Sequence, residues 1–187
     1  MRRAATCPGS RGSSRRSTRS SSPRKASARR NSPDSRRLRC DGGGMEISEI
    51  RPDEYDRAAE LWEASVRATH TFVTEADLDV FRPLVRAAFP EIAQLAGLRG
   101  DDGLLIGFIG VADGNVEMLF LDPAYRGRGG GTLLLQHAFT HFAATSVDVN
   151  EQNPAAVGFY EHHGFRFVSR STHDTTGKPY PILHLKL

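Results

Sequence analysis

The chain has 187 residues, enough for one domain plus an appendage, and its formal charge of +3 hides two unlike parts. Residues 1–44 hold 13 basic and 2 acidic residues, a net +11, whereas residues 45–187 hold 12 basic and 20 acidic ones, a net −8. Both cysteines, Cys7 and Cys40, fall in the first part. The second part therefore uses no disulfide, cysteine nucleophile or thiolate metal site, and no apolar stretch approaches a membrane span.

The first 44 residues are mostly Arg, Ser, Gly, Pro and Ala, with Leu38 the one large aliphatic residue after the initiator. Such a composition buries too little apolar surface to offset its ordering entropy, so a disordered tail is expected. No apolar run follows the arginines, which excludes a secretory or twin-arginine signal. Three readings of the tail stay open. It suits nucleic-acid binding through counterion release. It is Arg-rich and acid-poor like an organelle transit peptide, but without the amphipathic spacing. Or translation starts at Met45 and the tail is an artefact of the assigned start, which is the favoured reading because Met45 opens the first patterned segment.

Residues 46–51 alternate like a half-buried strand. Pro52 suits a first helical position, and Tyr55, Ala58, Ala59, Trp62 and Val66 give residues 53–68 an amphipathic helical face. Thr74 caps a second helix carrying Leu78, Phe81, Val85 and Ala88, in which Pro83 predicts a kink or two short helices. Three strands follow over 92–98, 104–111 and 116–121, separated by the turn signals Asp101-Asp102-Gly103 and Asp113-Gly114. They read as an antiparallel meander. A third helix presents Leu135, Ala138, Phe139 and Phe142, and residues 146–149 form a short strand. Asn153-Pro154 caps and opens a fourth helix to His163, with Gly164 as its C′ residue. Strands at 165–169 and 182–187 close the chain. The order β-α-α-β-β-β-α-β-α-β-β predicts an α/β (α+β) fold, a mixed sheet with helices on its faces.

The most informative segment is Leu119-Phe120-Leu121-Asp122-Pro123-Ala124-Tyr125-Arg126-Gly127-Arg128-Gly129-Gly130-Gly131-Thr132. An apolar strand feeds a basic, glycine-rich turn that opens a helix. Bare glycines let the backbone curl and present N–H groups, the helix N-terminus adds partial positive charge, and Arg126 and Arg128 add full charges. Together these make a cradle for a pyrophosphate. The spacing fits neither the dinucleotide fingerprint nor the lysine-containing P-loop. A flexible surface loop is the plain alternative, and the flanking strand and helix weigh against it.

Arg126-x-x-Gly129-x-Gly131 resembles the R/Q-x-x-G-x-G/A coenzyme A motif of the GNAT N-acetyltransferase superfamily. Asn153-Pro154-Ala155-Ala156-Val157-Gly158-Phe159-Tyr160, followed by His163-Gly164-Phe165, resembles the family's N-x-x-A-x-x-F-Y-x-x-x-G-F segment. The likeness spans residues 45–187. Residues 65–70, 150–153 and 177–181 resemble more narrowly the YjaB-like bacterial branch.

The resemblance implies a mostly antiparallel sheet of about seven strands flanked by about four helices. It implies acetyl-coenzyme A as cosubstrate and no metal. Met118, Leu119, Phe120 and Leu121 would pair with the pantetheine arm, and Arg126, Gly127, Arg128, Gly129, Gly130, Gly131 and Thr132 would hold the pyrophosphate. Asn153 and Phe159 would line the channel, with Tyr160 near the sulfur. An amine attacks the thioester directly in a ternary complex. A lysine-type amine, with an ordinary pKa of about 10.4, must first lose a proton to a base. The departing thiolate benefits from a donor, and Tyr160, ordinarily titrating near pH 10, suits that task. Glu117, on the strand before the cradle and on the opposite face from Val116, Met118 and Phe120, is the candidate base, although a plain solvent-facing glutamate fits equally. His70, Asp174 and Tyr180 are candidate acceptor contacts, His70 also a candidate base or helix-end residue.

His137 and His141 stand four apart on one helix, but without nearby carboxylates they read as a solvated face and not as a metal site. The expected activity is acetyl transfer to a primary amine, a protein lysine or N-terminus or a small molecule. The alternative is a non-catalytic acyl-coenzyme A-binding regulatory module. The −8 of residues 45–187 suits a cationic acceptor. A cytoplasmic setting is expected, with nucleic acid a partner only through the tail. Monomer and homodimer both stay open.

Overall fold

The structure is a computed structural model and describes residues 44–187. The expectations for the tail, its disorder and its start-site question, concern residues outside those described, as do the readings of Cys7 and Cys40.

Seven strands form one sheet among the described residues: β1 (Glu46–Glu49), β2 (Gln94–Arg99), β3 (Leu105–Ala112), β4 (Asn115–Leu121), β5 (Ser146–Asn150), β6 (Arg166–Ser171) and β7 (Ile182–Lys186). Their spatial order is β1-β2-β3-β4-β5-β7-β6. Every neighbouring pair is antiparallel except β4 and β5. Four α-helices accompany the sheet: α1 (Tyr55–Thr69), α2 (Glu75–Ala88), α3 (Gly130–His141) and α4 (Pro154–His162). The expected mixed, mostly antiparallel architecture is the one observed.

Two helices, α2 and α4, start where the sequence provides a side-chain cap. Thr74 accepts the Asp77 N–H at 3.2 Å while the Asp77 carboxylate accepts the Thr74 N–H at 3.3 Å, a reciprocal box that opens α2. Asn153 accepts the Ala156 N–H at 3.2 Å to open α4. α2 runs unbroken through Pro83, so the expected pair of short helices does not form. Pro83 lies on the exposed side, where a carbonyl left without its helical N–H partner can turn to solvent.

The helices cover opposite faces of the sheet. On one face α1 and α2 bury Leu61, Trp62, Val66 and Leu78 against Ile50, Phe89, Leu105 and Phe108. On the other, α3 and α4 bury Leu134, Leu135 and Tyr160 against Leu98, Ile109, Val147 and Leu185. Burial on both faces makes β3 an almost unbroken apolar run. At the far end of the sheet the polar face of β5, β7 and β6 is tied crosswise. The His184 Nδ1 lies 2.6 Å from Asp148 and its Nε2 lies 2.8 Å from the Ser171 hydroxyl.

Two irregularities shape β4. Val116 pairs with Val111 and Met118 with Gly110, so Glu117 is an extra, bulged residue. The bulge shifts the alternation by one. Val116 therefore joins Leu119 and Leu121 on the α3 face, while Met118 and Phe120 face α1. This corrects the reading that put Val116, Met118 and Phe120 on one face. Second, β4 meets β5 at only two rungs, Asn115 with Ser146 and Val116 with Val147. Beyond Val116 the two strands separate.

Candidate functional site

The separation of β4 from β5 leaves the outer backbone edge of Leu119, Phe120 and Leu121 unpaired on that side, while their inner edge pairs with β3. Peptide groups left open in this way seek partners from whatever enters. A cleft of about 440 Å³ opens there. Its walls come from β4, the glycine turn, α4 and the C-terminal end of α1.

The glycine turn ends on α3 without a side-chain cap. Gly129 is the N-cap residue, with φ of 84°, and the first bond of the helical ladder runs from the Leu133 N–H to the Gly129 carbonyl at 3.0 Å. The N–H groups of Gly130, Gly131 and Thr132 precede that ladder and so lack helical partners. Gly127 also has a positive φ, 73°, and a Cβ on Gly127 or Gly129 would meet nothing within 4 Å. Glycine is needed at both for backbone conformation, not for space. Gly130 differs: a Cβ there would lie 2.8 Å from the Leu98 Cδ2, so its bareness lets α3 settle on β2.

Across the cleft, Arg126 donates from Nη2 to the Ser65 hydroxyl at 2.7 Å and to the Ser65 carbonyl at 3.2 Å. Burial lowers its pKa below the ordinary arginine value, and Asp122 works against that shift. Thr132 is fixed from behind. The His163 Nδ1 lies 2.8 Å from the Phe159 carbonyl and donates to it, while its Nε2 lies 3.2 Å from the Thr132 hydroxyl. The first turn of α3 is thus tied to α4.

Tyr160 lines the cleft with its ring packed edge-on to Phe159 and Phe165, at centroid distances of 5.2 and 5.6 Å. Burial pushes its phenol well above the ordinary tyrosine range, so it holds its proton at neutral pH. Among the described residues its hydroxyl has no hydrogen-bond partner. His70 caps the end of α1 and lines the same cleft. Burial lowers the pKa of its imidazole, the Arg126 charge lowers it further, and contact with the Val66 carbonyl opposes both.

Leu119, Phe120, Leu121, Arg126, Gly127, Gly129, Gly130, Gly131, Thr132, Asn153, Phe159, Tyr160 and His70 therefore share one cleft. Five other expected residues do not line it. Met118 packs into the α1 core because of the bulge. Arg128 turns outward, its guanidinium 5.2 Å from the centre of the Tyr125 ring. Glu117, the candidate base, is exposed, and its carboxylate accepts from the Asn115 amide at 2.8 Å. Asp174 holds a local turn, accepting from the Thr176 and Lys178 N–H groups at 2.9 Å each. Tyr180 stands beyond His70, linked to it through Phe72, with both centroid steps 5.4 Å.

Sequence reasoning missed Ser65 and Thr69, which line the cleft from α1, and Asp77, which anchors the outer loop. The buried Asp77 carboxylate accepts the Tyr180 hydroxyl at 2.6 Å and pairs with Lys178. The available signal was a serine and a threonine four apart on a helix's buried side, ending at a histidine.

The cleft fits a long acyl carrier with a diphosphate. Bare amides, Arg126, apolar walls, an open strand edge, a protonated phenol and an imidazole line it together. These elements define an acyl-transfer enzyme of the acetyltransferase type. Residues 86–177 match the model of the acetyltransferase (GNAT) domain. The chain belongs to the GNAT family and is an acetyl-coenzyme A-dependent N-acetyltransferase, moving an acetyl group to a primary amine. It is 37% identical over 141 residues to the peptidyl-lysine N-acetyltransferase YjaB of Salmonella typhimurium, covering 75% of this chain and 97% of that one. The peptidyl-lysine N-acetyltransferase YiaC of Escherichia coli is 30% identical over 138 residues, with 73% and 94% covered. The solution structure of apo-form YjaB from Escherichia coli superposes with a TM-score of 0.70 at 37% identity, covering 76% of this chain and 96% of that chain. The fold also matches the PaiA N-acetyltransferase of Thermoplasma acidophilum, solved in complex with coenzyme A, with a TM-score of 0.58 at 20% identity over 77% of this chain and 99% of that one.

Proposed function

We propose that this enzyme acetylates lysine side chains of proteins, with the cleft between β4 and α4 holding acetyl-coenzyme A. The observation that carries the site assignment is the convergence of bare α3 amides, the unpaired β4 edge and the Tyr160 hydroxyl in one cleft. The acceptor class is supported by the two relatives described as peptidyl-lysine N-acetyltransferases and by the −8 carried by residues 45–187. A net negative surface draws cationic lysines toward it.

In this reading the coenzyme supplies an activated acetyl thioester. Gly130, Gly131 and Thr132 give their N–H groups to the diphosphate. Arg126 lines the same cleft and adds a full charge. The β4 edge at Leu119, Phe120 and Leu121 pairs with the extended arm, and Phe159 and Asn153 bound its other side. Tyr160 gives its proton to the sulfur as the C–S bond breaks, and its buried, protonated state suits that duty. Asp174 and Tyr180 belong to the loop flanking the acceptor side.

The test is direct. Purified enzyme with acetyl-coenzyme A is offered lysine-containing peptides, the same peptides with lysine replaced by arginine, and small polyamines, with products read by mass spectrometry. Acetyl-lysine in the peptides at higher kcat/KM than on any small amine is expected. Turnover confined to small amines, or to peptide N-termini, would overturn the lysine assignment.

A further inference from the structure

The cleft holds one imidazole whose hydrogen is fixed by its neighbours. The Thr69 hydroxyl donates to the Ser65 carbonyl at 2.8 Å, which commits its single hydrogen. The contact of 2.9 Å between the Thr69 Oγ1 and the His70 Nδ1 then requires the hydrogen to sit on Nδ1. That tautomer leaves Nε2 bare. The chain geometry fixes the ring further: the His70 N–H closes α1 on the Val66 carbonyl at 2.7 Å, and the Val73 N–H returns to the His70 carbonyl at 2.9 Å.

The surroundings of the ring are accounted for. Thr69 holds it from α1 and is itself bonded to the Ser65 carbonyl, the Val66 carbonyl lies against it, Arg126 reaches Ser65 from the turn before the glycines, and Phe72 packs beside it, backed by Tyr180. Among the described residues Arg126 is the charged group whose field acts on it. A guanidinium and desolvation both disfavour an imidazolium, so the ring stays uncharged at neutral pH. The same charge and the same dryness act on an ammonium arriving beside it, loosening that group's proton.

We propose that His70 is the general base of the acetyl transfer, accepting a proton from the acceptor ammonium at Nε2 while Thr69 keeps the hydrogen on Nδ1. The inference rests on the reading of the cleft given above. The proton passes from the ammonium to Nε2, and the freed nitrogen lone pair forms the C–N bond at the acetyl carbon. Tyr160 protonates the sulfur as the C–S bond breaks. The second nitrogen-borne proton restores the Tyr160 hydroxyl through water, and His70 releases its own to solvent, so one proton leaves per turnover. Thr69 is the positioning residue, acting through His70. Glu117 stands outside the cleft lining, its carboxylate accepting from the Asn115 amide.

The experiment compares the full-length wild type with His70→Gln, Thr69→Val and Thr69→Ser on a lysine peptide. His70→Gln lowers kcat by about a hundredfold or more. It also removes the acid limb that the wild-type kcat/KM profile shows below the ordinary histidine range, while calorimetry finds coenzyme binding unchanged. Thr69→Val lowers kcat with little change in KM, and Thr69→Ser restores it. Nitrogen NMR of the free enzyme finds His70 protonated at Nδ1 and bare at Nε2. Normal wild-type turnover with an unaltered His70→Gln profile overturns this proposal alone, as does a proton on Nε2. Wild-type protein that binds no coenzyme and acetylates no lysine overturns the reading of the cleft along with it.

Discussion

Replacing Gly129 with alanine separates the conformational demand of the glycine turn from its steric demand. A Cβ at Gly129 meets nothing within 4 Å, so the substitution creates no clash. Its cost is that of holding an alanine at φ of 84°, about 1–2 kcal/mol. The protein can meet that cost in two ways. If the turn keeps its shape, the strain lowers folding stability by the full amount and leaves coenzyme affinity intact. If the turn relaxes, stability is kept and binding must restore the strained form, which weakens affinity about five- to thirtyfold. The loss in unfolding free energy and the loss in binding free energy therefore sum to about 1–2 kcal/mol. Urea unfolding and calorimetric titration with coenzyme A measure the two parts on the same preparation. Gly130→Ala is the contrast: its Cβ would press on the Leu98 Cδ2 at 2.8 Å and cost about 1–3 kcal/mol of stability through core displacement. A Gly129→Ala protein unchanged in both measurements would refute the left-handed turn as a requirement of the site.

Tyr160→Phe is expected to lower kcat about a hundredfold while leaving stability unchanged, since among the described residues the hydroxyl has no partner and the ring contacts persist; stopped assays of thiol release and thermal unfolding check the two halves. Glu54 grips Arg99 through bonds of 2.7 and 2.9 Å, which lower its carboxyl from 4.5 to about 2. A folded-state pKa depressed in this way gives stability that is present above the unfolded value and lost as pH falls toward the folded one. Glu54→Gln should thus remove about 3 kcal/mol at neutral pH and flatten the acid decline between pH 4.5 and about 2, followed by denaturant melts across that window. The Tyr180 phenol, pushed up to about 12 chiefly by the bond it donates to Asp77, should fall back toward its ordinary value in Asp77→Asn, read by ultraviolet titration. The same variant should speed proteolytic cleavage in the loop between β6 and β7, because Lys178 and Tyr180 lose their shared anchor.

Much of the architecture was legible because local periodicity and local chemistry agree. Ala58, Ala59, Trp62 and Val66 fall on one side of a helix and are buried there, and Thr74 and Asn153 announce helix starts with side chains that do cap them. The glycine turn was legible for a similar reason, since a run of bare residues between a strand and a helix has few other uses. What stayed hidden depends on single-residue register or on distant pairs. The alternation of apolar residues along β4 gives no sign of a bulge at Glu117, yet that one residue decides which side chains face α1 and leaves the glutamate outside the cleft. Asp77 could be read as half of a capping box, but its pairing with Lys178 and Tyr180 spans more than a hundred positions. His70 was visible as a helix-end residue. Its fixed tautomer was not, because that depends on where the Thr69 hydroxyl sends its hydrogen.

The two-rung seam between β4 and β5 leaves the sheet as two plates that share little backbone adhesion along their common border. A coenzyme arm lying against the vacant rim of β4 would act as a splint across that border. Saturation should then stiffen the whole body and delay its melting, by about 2.7 kcal/mol at a hundredfold excess over Kd. Heat tolerance in the cell would accordingly track acetyl-donor supply, making the protein's own lifetime a readout of the metabolite it consumes.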